Sequence, residues 1–298
     1  GDNMVKVKII SEEGNDIKIL FTGADRSLLS AIRRTLMVDT PKMAIDTVRF
    51  ELGLVEQEGE TWESTGPLPD ETIAQRLAMI PIVTRHDDFY FQNECPSCKE
   101  LVEDQRGCPQ CSVIYACKAF GTEEGKMIYA GDMKPMGDDS LSIIDEFKEI
   151  PITKLFKGQM IEFFATAIMG RGREHAKWSP VCGVSFTSRK IGVIKNKSKS
   201  KILWDLNLKI TEKDFKGSKL EDIEKVAILE RELNHVGEGT EEMREFKDAI
   251  VIEEVPEEFI LSFETDGSMT PRVAFERATK ELSSRFDIIS DDIVSALK

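Results

Sequence analysis

Four of the six cysteines form two Cys-x-x-Cys pairs, Cys95 with Cys98 and Cys108 with Cys111. A tight turn around each pair can present two thiolates to one ion, and two such turns supply the four soft ligands of a tetrahedral site. The doubled spacing therefore predicts one metal site held by all four, with Zn²⁺ as the favoured ion. An iron site, two disulfides or four incidental thiols are the alternatives that the pattern leaves open. Because no fifth ligand stands nearby, we expect the metal to be structural.

The other residues that could do chemistry are scattered. Cys117 and Cys182 lie in apolar, strand-like surroundings, where burial as small hydrophobic residues is the simpler explanation. His86, His175 and His235 are far apart in the chain, and no Ser or Cys has a recognisable nucleophile context. The sequence therefore predicts no catalytic residues.

The composition excludes several classes of protein. With 298 residues, 41% of them hydrophobic, the chain can bury a core in one to three domains. It has no run of 18 apolar residues and no signal peptide, so we expect a cytoplasmic protein that is not in a membrane. The formal net charge of −14 argues against the whole chain lying along a phosphate backbone. A chain this acidic is expected to face protein.

Two arginine-bearing helices are predicted in the first third of the chain. In residues 25–37, Leu29, Ile32 and Leu36 share one helical face, with Arg33 and Arg34 turned away from it. A second helix at 67–81 carries Arg76, begins with acids and stops at a proline. A hairpin over 5–21 precedes the first helix, and an alternating strand over 44–52 separates the two.

The carboxy terminus predicts a strand at 259–264 and then a long helix. Thr270 suits the N-cap and Pro271 the first helical position. Apolar residues then recur every three or four positions, at Phe275, Ala278, Leu282, Phe286 and Ile289. A face this wide needs a partner element.

The middle of the chain is rich in strand patterns, at 113–120, 127–130 and 160–167. The composition changes after residue 188. Residues 189–201 hold six basic residues and no acid, a pattern most typical of a solvated loop, with contact to an acidic partner or to nucleic acid as alternatives. An amphipathic stretch around Ile223, Val226, Leu229 and Leu233 follows in an acidic segment.

Taken in order, these segments resemble the D subunits of archaeal RNA polymerase and their eukaryotic third-largest-subunit counterparts, both related to the bacterial alpha amino-terminal domain. The matching residues are 31–34 (Ala-Ile-Arg-Arg), 44–46 with Val48, 70–71, 73–77 and 80–81. The segment 172–181, Gly-Arg-Glu-His-Ala-Lys-Trp-Ser-Pro-Val, matches the archaeal and eukaryotic branch. Ser30 and Gln75 stand where the family usually has Asn and His, and residues 56–65 resemble an insertion.

The resemblance implies an α+β fold: an alpha-type dimerisation domain of helices on an antiparallel sheet, with an inserted β-rich domain carrying a zinc loop and a further small insertion. It implies a dimerisation domain from residues 1–46 and 250–298, an inserted domain at 47–188 with its zinc loop at 95–111, and a third region at 189–249. That third region lies where many relatives hold an iron–sulfur cluster, but it has no cysteine, so a cluster there is not expected.

The function implied is that of a non-catalytic assembly subunit of DNA-dependent RNA polymerase, working in transcription. Its expected partners are the small alpha-like subunit L, the second-largest and largest subunits, and the small zinc subunits N and P. The resemblance implies that it contacts DNA only indirectly, through the complex. The residues expected to dimerise are Leu29, Ile32, Leu36, Phe275, Ala278, Leu282, Phe286 and Ile289.

Arg33, Arg34 and Arg76 are expected to dock other subunits, because guanidinium groups make directional, bidentate contacts. Pairing of these arginines within the chain, with Asp70 or Glu71, is an equal alternative.

Two other classes of function are alternatives to the role of assembly subunit. A free-standing zinc-ribbon nucleic-acid binder would need basic and aromatic residues around the cysteines, which residues 95–111 lack. A thiol–disulfide oxidoreductase would use one reactive pair beside a βαβ unit, whereas this chain has two pairs in a strand-rich region, so that function fits badly. Residues 170–173 could suggest a phosphate loop, but they lack its Gly-Lys-Ser/Thr pattern, and a loop that docks on protein fits better.

Overall fold

The structure is a computed structural model that describes residues 4–205, 208–235 and 249–297. Its described helices are α1 (Arg26–Val38), α2 (Asp70–Ala78), α3 (Lys197–Trp204), α4 (Ile223–His235) and α5 (Pro271–Ala296). The first strands are β1 (Lys6–Glu13), β2 (Asp16–Thr22), β3 (Lys42–Phe50), β4 (Leu54–Gln57), β5 (Glu60–Glu63), β6 (Ser112–Phe120) and β7 (Lys126–Tyr129). The others are β8 (Lys134–Pro135), β9 (Pro151–Leu155), β10 (Met160–Gly170), β11 (Val181–Ile194), β12 (Lys219–Leu220) and β13 (Ile250–Thr265). The α+β class predicted from the sequence is confirmed. None of the described helices is both long enough and apolar enough to cross a membrane.

The chain divides into two compact units, each built from separate stretches of sequence. The first takes the described parts of 1–11, 18–30 and 185–262, and the second those of 12–17, 31–184 and 263–298. The boundaries predicted for the three domains stay a prediction. A five-stranded sheet has the order β1-β2-β13-β11-β12, which places the two ends of the chain in one sheet.

The core of the second unit lies on one face of a four-stranded sheet, of order β3-β10-β6-β8. Its central strand, β10, pairs antiparallel with β3 and β6, and Phe163 lies between Phe50 and Cys117. Alternate residues of β10 are buried, as expected for a strand with one covered face. Helix α2 contributes Ile73 and Leu77 to the same core.

The first unit has its own small core, formed by described residues between 194 and 250. Its buried residues are Ile194, Leu203, Ile210, Phe215, Leu220, Val226, Leu229, Ala249 and Ile250. The amphipathic stretch around Ile223 is confirmed as helix α4. The solvated loop expected at 189–201 is wrong, because β11 continues to Ile194 and α3 begins at Lys197. Burial of Ser200 and Leu203 explains why the basic segment is ordered as a helix.

The carboxy-terminal helix begins where its sequence predicts. The strand before it is longer than predicted. Thr270 is the N-cap of α5, and its hydroxyl accepts a hydrogen bond from the backbone amide of Val273. Strand β13 begins at Ile250, nine residues before the predicted start, because its partners in the sheet extend pairing through a segment rich in acids. Residues 56–65 form most of the β4–β5 hairpin, which pairs Leu54 with Glu63.

Candidate functional site

The four clustered cysteines form a compact group of thiols. All four sulfur atoms lie within 4.8 Å of one another. The Sγ atoms of Cys95 and Cys108 are 3.5 Å apart, and Cys111 Sγ lies 3.8 Å from the sulfurs of both Cys108 and Cys98. Four ligands at about 2.3 Å from a tetrahedral zinc would have sulfur atoms about 3.8 Å apart, so the cluster has the size of such a site. The disulfide alternative is wrong, since all four cysteines are free.

The two Cys-x-x-Cys turns, called knuckles below, have the same local structure. In the first, the amides of Cys98 and Lys99 both donate to the carbonyl of Cys95, at 3.1 and 2.9 Å. In the second, the amides of Cys111 and Ser112 both donate to the carbonyl of Cys108, at 2.9 and 3.0 Å. Each turn therefore places its two sulfur atoms on the same side, as the spacing predicted.

The sequence around the second knuckle anchors the loop. Gly107 has a φ of +136°, a conformation that residues with a side chain rarely adopt. Cys111 leads directly into β6, so the last ligand is held by the four-stranded sheet. The amide of Tyr90 donates to the carbonyl of Gln110 at 2.9 Å and joins the loop to the segment before it.

The electrostatics of the cluster favour deprotonation of one thiol. A hydrogen bond from the backbone amide of Gly107 lowers the pKa of Cys98 to about 7. Burial raises the pKa of Cys111. A bound cation would offset that burial, because zinc takes cysteine as thiolate. Within the described residues, this is the only group of three or more Cys, His, Asp or Glu side chains close enough to hold a metal ion.

The other two cysteines are separate from this cluster. Cys117 is buried in β6, as expected, and burial raises its pKa to about 12. The expectation that Cys182 is buried is wrong. Cys182 follows buried Val181 and so lies on the exposed face of β11, and Gly183, with a φ of +60°, interrupts the alternation so that Val184 is buried next.

The three arginines expected to dock partners are all exposed. Arg33 Nε donates to the carbonyl of Val184 at 2.9 Å, and Arg76 Nη1 donates to that of Ile152 at 2.9 Å. The side chain of Arg34 makes no hydrogen bond or ion pair with any residue that the structure describes. None of the three pairs with Asp70 or Glu71, so the alternative of pairing within the chain to those acids is wrong. Arg33 and Arg76 use one nitrogen each and keep other donors available.

The residues expected to dimerise fall into two groups by burial. Leu29, Ile32, Leu36 and Ala278 are buried within the chain, and Phe275 and Leu282 are half-buried. By contrast, Phe286 is 62% exposed and Ile289 is 53% exposed. In this conformation only the second half of α5 presents its apolar stripe to a partner.

A network of charged residues around Asp39 was not predicted as a site. The buried carboxylate of Asp39 forms ion pairs with Arg173 and Arg285. Arg171 Nε donates to the Asp39 carbonyl at 3.1 Å, and its Nη2 lies 3.2 Å from Glu281 Oε2. These contacts join the loop after β10 to the end of α1 and to α5.

The loop in this network is Gly-Arg-Gly-Arg, residues 170–173, which sequence analysis assigned to a protein-docking loop. Its arginines pair with acids of the same chain, so the loop packs against other parts of its own chain. The Arg171 guanidinium also lies over the ring of Phe91, 4.2 Å from its centre. A Cβ at Gly172 would lie 2.1 Å from the carbonyl oxygen of Met37, so only glycine fits there. The motif itself was the signal for this network, but its acidic partners are more than 100 residues away in sequence.

Comparison with known proteins places this chain in a family. The family model described as the RNA polymerase Rpb3/Rpb11 dimerisation domain matches residues 18–286. DNA-directed RNA polymerase subunit Rpo3 of Picrophilus torridus is 31% identical over 293 residues, which cover 96% of this chain and 98% of that protein. The Rpo3 subunit of Thermococcus kodakarensis is 29% identical over 95% of this chain and 96% of its own length.

A eukaryotic relative matches as well. DNA-directed RNA polymerase II subunit rpb3 of Dictyostelium discoideum is 30% identical over 197 residues, which cover 63% of this chain and 59% of that protein. These matches confirm the resemblance inferred from residues 31–34, 44–48 and 70–81. The chain therefore belongs to the RNA polymerase Rpb3/Rpb11 dimerisation domain family.

Proposed function

We propose that this chain is a non-catalytic assembly subunit of a cytoplasmic DNA-directed RNA polymerase. The observation that carries the proposal is the exposed apolar stripe on the second half of α5, in a chain whose family model is a dimerisation domain. The stripe continues past the predicted residues, because Ile293 and Leu297 follow Phe286 and Ile289 at helical spacing and are also exposed. A stripe of this length needs a protein partner to remove it from water.

The partner we propose for this stripe is the small alpha-like subunit L. The first half of α5 is fixed to its own chain, through buried Ala278 and through the ion pair of Arg171 with Glu281. The second half therefore projects from a fixed base as a preformed binding surface. Preformed surfaces lose less conformational entropy when a partner binds.

The resulting heterodimer would be the platform for the second-largest and largest subunits. Arg33, Arg34 and Arg76 support this step, because they are exposed and retain free guanidinium donors for acids of a partner. Small zinc subunits such as N and P would complete the assembly.

The metal that we propose for the four cysteines is one structural Zn²⁺. The sulfur separations of 3.5–3.8 Å support a tetrahedral ion with four thiolate ligands. Cys95, Cys98, Cys108 and Cys111 would hold it, and with no open position it would fix the loop rather than activate a substrate. Iron in the same ligands is the alternative that elemental analysis tests.

A free-standing zinc-ribbon protein is the second candidate, and the near-full-length match to polymerase subunits disfavours it. Co-purification of the untagged cellular protein, followed by identification of its partners by mass, separates the two. The scaffold proposal requires the large polymerase subunits and a small alpha-like subunit in stoichiometric amounts. Isolation of the chain without them would overturn it.

A further inference from the structure

A group of lysines on the first unit has a charge opposite to that of the whole chain. The net charge is −14, yet residues 197–219 present Lys197, Lys199, Lys201, Lys213, Lys216 and Lys219, all exposed. We call these six residues the lysine surface. Among the residues that the structure describes, none of the six makes an ion pair or a side-chain hydrogen bond. No described carboxylate therefore holds their ammonium groups.

The fold brings these lysines together on one small core. The amide of Ile194 donates to the carbonyl of Ser218 at 2.8 Å, and Val193 pairs with Lys219. The turn that carries Lys216 and Lys219 thus lies beside the end of β11, three residues before α3 begins. The ring of Trp204 in α3 contacts that of Phe215, with centres 5.7 Å apart. The lysines of α3 and of residues 213–219 accordingly cover the same core.

Over residues 197–219 the lysines outnumber the acids, of which Asp205 and Glu212 are exposed and make no ion pair with described residues. Asp214 is bound to Lys225 at 2.6 Å. On α4, Glu230 is bound to Lys190 at 2.6 Å, and the Glu232 carboxylate accepts the backbone amides of Lys209 and Ile210. Glu221, Asp222 and Glu224 are exposed and follow directly, so the excess of positive charge is confined to residues 197–219.

The lysine surface lacks the exposed hydrophobic side chains that a protein partner would need, and this indicates the kind of partner. Protein interfaces are anchored by exposed aromatic or aliphatic residues at their centre. From residue 189 to residue 235, no described large hydrophobic side chain is exposed. Flexible lysines without such anchors suit a regular array of phosphates, which needs point charges and little shape complementarity.

We propose that the lysine surface binds the phosphate backbone of nucleic acid without reading its sequence. The net charge of −14 disfavours binding of the whole chain along a phosphate backbone, whereas the lysine surface is local. The proposal is independent of the assembly role, and its test needs no other polymerase subunit.

The test measures binding of the full-length chain to a short fluorescein-labelled DNA duplex of mixed sequence, by anisotropy over a series of salt concentrations. The test variant carries Lys197→Gln, Lys199→Gln and Lys201→Gln. Its matched control carries Lys6→Gln, Lys8→Gln and Lys126→Gln, three exposed lysines elsewhere that also make no ion pair with described residues. Unchanged circular dichroism would show that both variants fold.

The wild-type chain and the control should bind with affinity that falls steeply as salt rises. The test variant should bind at least about tenfold more weakly, with a salt slope smaller by about 2 to 3, since each phosphate contact contributes close to one. Equal binding by test and control variants, or no binding by the wild type at low salt, would overturn the proposal. So would tighter binding of a labelled polyglutamate peptide than of the duplex, because it would identify an acidic protein as the partner.

Discussion

The carboxylate of Asp39 forms an ion pair with the guanidinium of Arg285, and so joins the residue after α1 to the middle of α5. The Asp39 side chain is only 3% exposed, and the same carboxylate pairs with Arg173. Arg285 directly precedes Phe286, the first exposed residue of the apolar stripe. The pair therefore sets the direction in which the proposed dimerisation surface leaves the chain.

Replacing this carboxylate should destabilise the second unit. Asp39→Asn leaves Arg173 and Arg285 without their counter-charge, but these side chains are 52% and 40% exposed, and solvent reduces the loss. We expect a decrease in the free energy of unfolding of about 1–3 kcal/mol, measured by urea denaturation.

The control for this variant is Asp145→Asn. Asp145 also pairs with a cation, Lys148, but its side chain is 92% exposed. We expect no measurable change in stability there. If both variants unfold at the same urea concentration, Asp39 does not have the structural role described here.

Loss of one metal ligand should empty the site. Cys111→Ser replaces a buried thiolate, and we expect zinc to fall from about one ion per chain to well below it, by elemental analysis. The loop at 95–111 should then become sensitive to protease, since a closed metal site stabilises the segment around its ligands. Cys182→Ser, at an exposed cysteine outside the cluster, should keep its zinc. A brown wild-type protein containing iron would contradict the zinc proposal.

A charge in the apolar stripe should prevent partner binding. Ile289→Asp would place a carboxylate in a dry interface, at a cost of about 3 kcal/mol or more. Affinity for subunit L should fall at least about 100-fold, measured by titration or by co-purification.

Ser284→Asp adds the same charge to the opposite side of α5, at an exposed position, and should leave this affinity unchanged. Equal retention of the partner by Ile289→Asp and Ser284→Asp would mean that the interface lies elsewhere.

The docking arginines should affect assembly rather than chemistry. Changing Arg33 and Arg34 together to Ala should lower the yield of assembled polymerase, followed by gel filtration of reconstituted subunits, because directional contacts to a partner are lost. The elongation rate of each assembled complex, measured on a preformed scaffold, should stay near the wild-type value. Normal assembly combined with much slower elongation would instead point to a direct part in the reaction.

The contact of Gly172 with helix α1 should tolerate no side chain. In Gly172→Ala the new Cβ would lie 2.1 Å from the Met37 carbonyl oxygen, so the backbone must shift, at a cost of about 1–3 kcal/mol. The matched control is Gly66→Ala, where the nearest atom would be at an ordinary 3.6 Å. Thermal unfolding of the two variants measures the difference, and equal melting temperatures would show that the loop can move without cost.

Features that depend on local geometry could be predicted from the sequence. The cysteine cluster is one, because a Cys-x-x-Cys turn places its two sulfurs together whatever the rest of the chain does. The start of α5 is another, since Thr270 and Pro271 act within one helical turn. The amphipathic helices α1, α2 and α4 follow from apolar spacing for the same reason.

Features that depend on distant partners were decided by the tertiary structure. Asp39, Glu281 and Arg285 show no pattern along the chain, and only folding brings them to the loop at 170–173. The basic segment after Lys195 forms a helix because Leu203 packs in a core, and Cys182 is exposed because buried Val181 places the next residue on the other face of β11. Ile289 and Leu29 are both apolar helical residues, and a spacing rule treats them alike. Their opposite burial depends on which surfaces the folded chain has left to cover them, a property that no local window of sequence contains.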